Sequence, residues 1–251
     1  MKSGQGKYNE KLLRVENLSY EYEDGNRVLK DISFCAASGE NIGIIGANGI
    51  GKSTLMKILV GLLLDYEGTV EVSGHPVNKK NLNHIREHIG YVFQDSDSQL
   101  FMSKVEDDVA FGPINYGLPE EEVQQRVDRA LGMVHIEGLR NKQIYKLSGG
   151  EKKLVSIATI LSMEPDIIIM DEPSIALDPK NRRNLMGILN EIKALKLIAS
   201  HDLDFIMDTC SRTILLDEGS IIADGRTDEV MSDERLLEEH GLELPLSLYK
   251  R

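Results

Sequence analysis

Eight consecutive residues, Gly46-Ala-Asn-Gly-Ile-Gly51-Lys52-Ser53, fit the pattern G-x-x-x-x-G-K-[ST] in full. Gly46, Gly49 and Gly51 leave out side chains so that backbone N–H groups can curl round phosphate oxygens. Lys52 places an ammonium between a β- and a γ-phosphate, and the Ser53 hydroxyl is left for Mg²⁺. Ala47, Asn48 and Ile50 complete the loop and Thr54 follows it. Further along, the apolar run Ile167-Ile-Ile-Met170 delivers Asp171-Glu172, two adjacent carboxylates at a strand end, where a phosphate-loop protein holds its metal. Gly90-Tyr-Val-Phe-Gln94 ends on a polar amide, and Leu197-Ile-Ala-Ser200 ends on His201. These residues point to binding and breakdown of a nucleoside triphosphate. On chemistry alone His201 reads first as a cap or core histidine, and Tyr22 as an ordinary packed tyrosine.

The elements that must position these groups follow from periodicity. Ile42, Ile44 and Ile45, punctuated by Gly43, form a buried strand ahead of the loop. The helix after it, from about Gly51 to Leu63, aims the positive end of its dipole at the same anion. Upstream, Leu12 to Tyr22 and Val28 to Ala36 read as two strands joined by a turn at Asp24-Gly25-Asn26. Thr69 to Ser73 reads as a short strand after a turn at Asp65 to Gly68. From Asp95 to Lys146 the pattern changes to helical spacing, with Val123, Val127, Ala130 and Val134 recurring at three and four, so residues 95–146 read as an inserted helical lobe. Glu120 to Glu122 after Pro119 suit a helix first turn rather than a metal site.

Leu147-Ser-Gly-Gly-Glu151 opens a helix with Leu154, Val155, Ile157, Ala158 and Leu161 as its buried stripe. A second helix spans roughly Pro179 to Lys193. Thr213 to Leu216 and Ser220 to Ala223 read as a hairpin, and Asp233 to Gly241 as a short helix before the tail. Strands alternating with helices round a phosphate loop give an α/β doubly wound core. The expected division is a core with its β part in 1–94 and 147–232, the lobe in 95–146, and a helix and tail in 233–251.

Composition narrows the setting. The 251 residues suffice for one domain with an inserted lobe and need no disulfide. Cys35, in an expected strand, and Cys210, in an expected helix, lack metal or redox spacing and read as buried thiols of a reducing compartment, which suggests the cytoplasm. With 41 Asp and Glu against 29 Lys and Arg, a net charge of −12 argues against a nucleic-acid surface and against electrostatic attachment to anionic lipid. No apolar run approaches the length of a membrane span, and MKSGQGKYNE lacks the pattern of a signal peptide. A membrane role would come through a partner.

The order of the motifs resembles that of ATP-binding cassettes: Walker A at Gly46 to Ser53, the strand-end Gln94, the LSGGE signature at Leu147 to Glu151, Walker B ending at Asp171 with Glu172, Ser174 to Asp178, and Ser200-His201-Asp202. The resemblance covers nearly the whole chain. It implies a RecA-like P-loop NTPase core with an N-terminal antiparallel β subdomain and an inserted α-helical subdomain. It also implies ATP and Mg²⁺ as ligands and a head-to-tail dimer in which each ATP lies between one subunit's Walker motifs and the other's signature. Under it, Ser53, Gln94 and Asp171 serve Mg²⁺, Glu172 polarises the attacking water and His201 bridges to the γ-phosphate. Ser148, Gly149 and Gly150 receive the γ-phosphate from across the interface, Asp178 relays between sites, and Tyr22 stacks on adenine.

Three stretches, Phe93 to Phe101, Phe111 to Pro119 and Leu237 to Leu248, resemble the ATPases of energy-coupling-factor importers, most of all the cobalt branch. That implies a subunit peripheral to the cytoplasmic side of the cell membrane, working with an integral membrane subunit and a second ATPase, a second copy of this chain being the first expectation. A vitamin importer and a soluble cassette ATPase, such as one serving iron–sulfur cluster assembly, are the alternatives. Asp95-Ser96 stand where that family usually has Asn-Pro, Leu154 stands where it has a basic residue, and the stretch from Leu189 to Ser200 is shorter than usual. Leu100 and Phe101 are expected to floor a coupling groove whose charge comes from Asp95 and Asp97.

Overall fold

The computed structural model describes residues 11–175 and 177–249, with strands β1 (Lys11–Glu21), β2 (Arg27–Ala37) and β3 (Asn41–Ile45), helix α1 (Lys52–Leu59), β4 (Glu67–Val72), β5 (His75–Pro76), α2 (Leu82–His88) and β6 (Ile89–Val92). Then come α3 (Val105–Asn115), α4 (Glu120–Met133), α5 (Gly149–Leu161), β7 (Ile167–Asp171), α6 (Pro179–Glu191), β8 (Leu195–Ala199) and α7 (Leu203–Thr209). The chain continues through β9 (Arg212–Asp217), β10 (Ser220–Arg226), α8 (Thr227–Ser232) and α9 (Glu234–Glu239).

Two sheets result. One is antiparallel, in the order β2-β1-β4-β5; the other is mostly parallel, in the order β10-β9-β3-β8-β7-β6, with β10 antiparallel to β9 at its edge. The run Ile167 to Asp171 shows why β7 needs no polar face. Ile167 and Ile169 join a core shared with the antiparallel sheet and α1, while Ile168 and Met170 face the opposite core with α5 and α7. Side chains alternate at period two, and both faces are buried, as in parallel sheets covered by helices.

The inserted lobe is α3 and α4 packed on α5, and its core is continuous with one face of the parallel sheet. Val123, Val127, Ala130 and Val134 are all buried, as their spacing requires, and so is the whole stripe from Leu154 to Leu161. Leu154 packs in this core, so an apolar residue there costs the lobe nothing. The phosphate-loop helix is shorter than its apolar pattern suggests, because Val60 caps it and Gly61 takes a left-handed φ of 69° that ends the turn. Helices α2 and α7, seven residues each, are too short to show helical periodicity in the sequence. Cys210 caps α7 instead of lying within it and is buried, whereas Cys35 on β2 is only half-buried.

The strand order decides where the chemistry goes. β3, β8, β7 and β6 lie side by side and all run parallel. Their carboxyl ends therefore present, in one row, the phosphate loop, Ser200-His201, Asp171-Glu172 and Gln94.

Candidate nucleotide site

That row lines one cavity of about 350 Å³, whose walls include Asn48, Gly49, Gly51, Lys52, Ser53, Thr54, Gln94, Asp171, Glu172 and His201. The loop is shaped by backbone that only glycine tolerates. Gly46 has a φ of 142°, and a Cβ there would lie 2.2 Å from the Leu216 carbonyl oxygen; Gly51 has a φ of 107° and is closed in by Val28 and Leu29. Lys52 is buried, and its Nζ donates to the carbonyls of Gly46 at 2.7 Å and Ala47 at 2.9 Å. Burial lowers its pKa, opposed by the charges of Glu172 and Asp171. The Tyr22 hydroxyl meets Thr54 Oγ1 at 2.9 Å, and the ring is about one-third exposed beside Tyr20, edge-to-face at 5.0 Å.

Glu172 is the most constrained acid. Its φ of 49° is left-handed, an uncommon conformation for a residue with a side chain, and its N–H donates to the Ala199 carbonyl at 2.8 Å, locking the strand end to β8. The buried carboxylate accepts from Ser200 Oγ at 3.0 Å and from the His201 N–H at 3.1 and 3.3 Å, and His201 Nδ1 lies 2.9 Å from Oε2. His201 thus contacts the acid through Nδ1 and keeps Nε2 for another partner; its side chain is more than half exposed. Asp171 accepts from the Tyr91 hydroxyl at 3.4 Å. Ser53, Gln94 and Asp171 give the cavity a hydroxyl, an amide and a carboxylate, the oxygen donors that a hard divalent cation such as Mg²⁺ takes.

Other predicted site residues lie elsewhere in the same chain. Ser148, Gly150, Tyr22 and Asp178 are outside the cavity's lining among the described residues, and Gly149 lines a neighbouring recess together with Gln94, Asp95 and Lys153. Ser148 caps α5: its Oγ accepts from the Glu151 N–H while the Glu151 carboxylate accepts from the Ser148 N–H, a reciprocal capping box. Both Ser148 and Gly149 are exposed. Asp178 caps α6, accepting from the N–H groups of Lys180 at 2.8 Å and Asn181 at 2.9 Å.

Lys153 was not singled out by the sequence, and it links the two regions. Its Nζ is buried and donates to the carbonyls of Phe93 at 2.9 Å and Gln94 at 2.7 Å, tying α5 to the strand end that carries the amide. Only the folded position distinguishes it from its exposed-reading neighbour Lys152. Burial pushes its pKa down to about 8. An unfolded lysine keeps its proton to about 10.5, so between these values the unfolded chain binds more protons and this residue's contribution to stability rises with pH. Lys153→Met should lower stability by about 1–3 kcal/mol, because two buried carbonyls lose their donor. The deficit should widen from pH 8 towards 10.5. Urea unfolding at several pH values checks this; equal midpoints for both proteins would show that the two bonds contribute nothing.

A model of the ABC transporter family matches residues 29–175, more than half of the chain, and takes in the phosphate loop, Gln94, the signature and Glu172. The chain belongs to the ABC transporter ATP-binding family. It is 48% identical over 238 residues to a protein of Gloeobacter violaceus provisionally named as an ABC transporter ATP-binding protein, covering 94% of this chain and 98% of that one. It is 41% identical to the energy-coupling factor transporter ATP-binding protein EcfA of Methanocaldococcus jannaschii, covering 93% and 86%. Among solved structures it is similar to cbiO1 from Clostridium perfringens, described as part of the ABC transporter complex cbiONQ, with a TM-score of 0.83, 39% identity and coverage of 92% and 94%. The chain is therefore an ATPase and an ATP-binding subunit of an ABC transporter with energy-coupling-factor relatives. No helix among the described residues is long and apolar enough to cross a membrane.

Proposed function

We propose that this chain hydrolyses ATP at a site shared between two copies, and that the closing and opening of that pair drive an integral membrane subunit of the energy-coupling-factor type. One observation carries the reading. Lys52, Glu172 and His201 meet in one cavity, while the exposed signature residues Ser148 and Gly149 of the same chain lie outside it, so the signature is available to a second copy. In that arrangement the loop amides of 46–51 and Lys52 hold the phosphates, and Tyr22 receives the adenine on its exposed ring. The amides of Gly149 and Gly150 at the start of α5, with the Ser148 hydroxyl proton, meet the γ-phosphate of the other copy's nucleotide. The Ser148 oxygen already serves Glu151, which leaves its proton free for that role.

Ser53, Gln94 and Asp171 would hold Mg²⁺, which supplies charge neutralisation to the β- and γ-phosphate oxygens when bound. Glu172 orients the attacking water and takes its proton. Its carboxylate is aimed for this by Ser200 and His201, and His201 keeps Nε2 for the γ-phosphate. Asp178, rigid at the start of α6, relays closure from one site to the other. Positioning and electrostatics account for most of such a reaction, since phosphoryl transfer asks little covalent chemistry of the protein.

The membrane partner would dock on the lobe, and here the expected lining changes in part. Leu100 is buried in the lobe core, Asp95 is bound to the Asp97 N–H and Ser98 hydroxyl of its own loop, and Asp97 pairs with Lys152 at 2.5 Å. Leu100 is therefore unavailable to a partner, whereas the exposed Asp95 and Asp97 do line a recess, together with Gln94, Gly149, Lys152 and Lys153. Phe101 is 64% exposed and stacks edge-to-face on Phe111 at 4.6 Å, next to a groove of about 580 Å³ lined by Phe111, Ile114, Asp107 and Glu120. An apolar floor with acidic residues at its rim suits a short helix bearing Arg or Lys beside small apolar residues.

The cargo we infer is a transition-metal ion, cobalt foremost and nickel next, on the strength of the Phe93–Phe101, Phe111–Pro119 and Leu237–Leu248 stretches. The chain would sit peripherally on the cytoplasmic face of the membrane. Replacing Phe101 and Phe111 together by Ala should weaken association with the membrane subunit by 10-fold or more, about 1.4 kcal/mol or greater for two interface aromatics. ATP hydrolysis by the isolated chain should change little. Copurification from membranes and single-chain turnover are the two measurements, and unaltered association would mean that the partner docks elsewhere.

A further inference from the structure

At the other end of the parallel strands lies a cluster of imidazoles that the nucleotide site does not use. His84 and His88 sit one turn apart on α2, and His75 stands on β5, with ring centroids 3.9 Å apart for His75 and His84 and 4.4 Å for His84 and His88. Glu87 adds a carboxylate: one ligand atom from each of His84, Glu87 and His88 lies within 4.8 Å of the others. Three features go beyond chance crowding. The Nε2 of His84 is buried and has no hydrogen-bond partner among the described residues, a condition that ordinarily costs free energy. His88 places Nδ1 2.6 Å from Asp166 Oδ2, and His75 places Nδ1 3.0 Å from the Ser73 carbonyl. Each contact fixes a tautomer with the proton on Nδ1 and leaves Nε2 as a lone-pair donor, which is how outer carboxylates and carbonyls orient metal-binding histidines.

We propose that His84, His88 and Glu87 form a binding site for one divalent transition-metal ion, with His75 packed on His84 beside it. Imidazole-rich sets of this kind suit Zn²⁺, Ni²⁺ or Cu²⁺ and not Mg²⁺, which prefers oxygen. Nitrogen and oxygen ligands lie about 2.0–2.2 Å from zinc, so atoms sharing one ion stand at most about 4.4 Å apart, and rotation of the exposed Glu87 closes the remaining gap. The ion would stiffen α2 and, through the His88–Asp166 contact, tie it to the start of β7. This proposal does not depend on what the transporter carries.

The test is calorimetric titration of the chain with Zn²⁺ alone, without nucleotide and with Mg²⁺ in excess to fill the oxygen site. One Zn²⁺ per chain is expected, with a rise in melting temperature that a chelator reverses. His84→Ala and His88→Ala should each lose about 100-fold in affinity, and Glu87→Gln and Asp166→Asn about 10- to 100-fold. Glu87 and Asp166 are exposed, so their variants fold whether or not the histidine variants do, and melting in chelator verifies each. Failure of the wild type to take up one Zn²⁺, or equal affinity in the wild type and the Glu87 and Asp166 variants, would overturn the site.

Discussion

Glu172→Gln is expected to leave ATP binding intact and to lower hydrolysis by about 10²- to 10⁴-fold, the range for loss of a general base. The amide keeps the length and shape of the side chain and can still meet the Ser200 hydroxyl, but it cannot take the proton of an attacking water. The backbone should tolerate the change, because the left-handed φ of 49° and the N–H bond to Ala199 do not depend on the carboxylate. Two of the acid's present contacts come from His201, its backbone N–H and its Nδ1, and the amide nitrogen will turn away from one of them. With hydrolysis stopped and binding retained, ATP should hold two copies together, so size-exclusion mobility should shift with ATP and Mg²⁺. Turnover unchanged in this variant would remove Glu172 from the reaction.

Ser148→Arg should abolish hydrolysis almost completely while leaving ATP binding by a single chain close to normal. In one chain Ser148 stands outside the nucleotide cavity, so a substitution there cannot obstruct the chain's own Lys52 or loop amides. Between two chains the guanidinium would occupy the place where a γ-phosphate must dock against the start of α5. A second effect accompanies it: the capping box with Glu151 is lost, at about 0.5–2 kcal/mol. Ser148→Ala separates the two, since it loses the cap and the hydroxyl without adding bulk. Nucleotide affinity by fluorescence and turnover by phosphate release measure both quantities, and normal hydrolysis by the arginine variant would contradict a shared site.

Most of the nucleotide cavity was legible in the sequence because its parts are local. A phosphate loop, a strand ending in Asp171-Glu172 and strands ending in Gln94 and His201 are each written in a few consecutive residues, and parallel strand order does the rest. What was not legible depends on contacts between distant segments. Lys153 reads like any lysine on an amphipathic helix until folding sets it under Phe93 and Gln94, 60 and 59 residues away in sequence. Leu100 and Asp97 read as one groove because they flank Phe101, yet the backbone turn after Asp95 buries Leu100 in the lobe and sets Asp97 beside Lys152 in a recess that Phe101 does not line. Phe111, which lines the observed groove and stacks on Phe101, lies on a different element and is brought beside it only by packing. The imidazole cluster likewise joins β5, α2 and the residue before β7, of which only the His84–His88 pair has a recognisable spacing.

The central claim, that ATP turnover in this chain works an integral membrane partner, is tested most directly by isolating the tagged chain from detergent-solubilised membranes, identifying what accompanies it, and reconstituting that complex in vesicles. The account predicts an integral membrane subunit in fixed ratio to two ATPase chains, and ATP-dependent uptake of a transition-metal ion that Glu172→Gln stops without dissolving the complex. Full ATPase activity in a chain recovered free of any membrane protein, with no uptake by vesicles containing the membrane fraction, would contradict it.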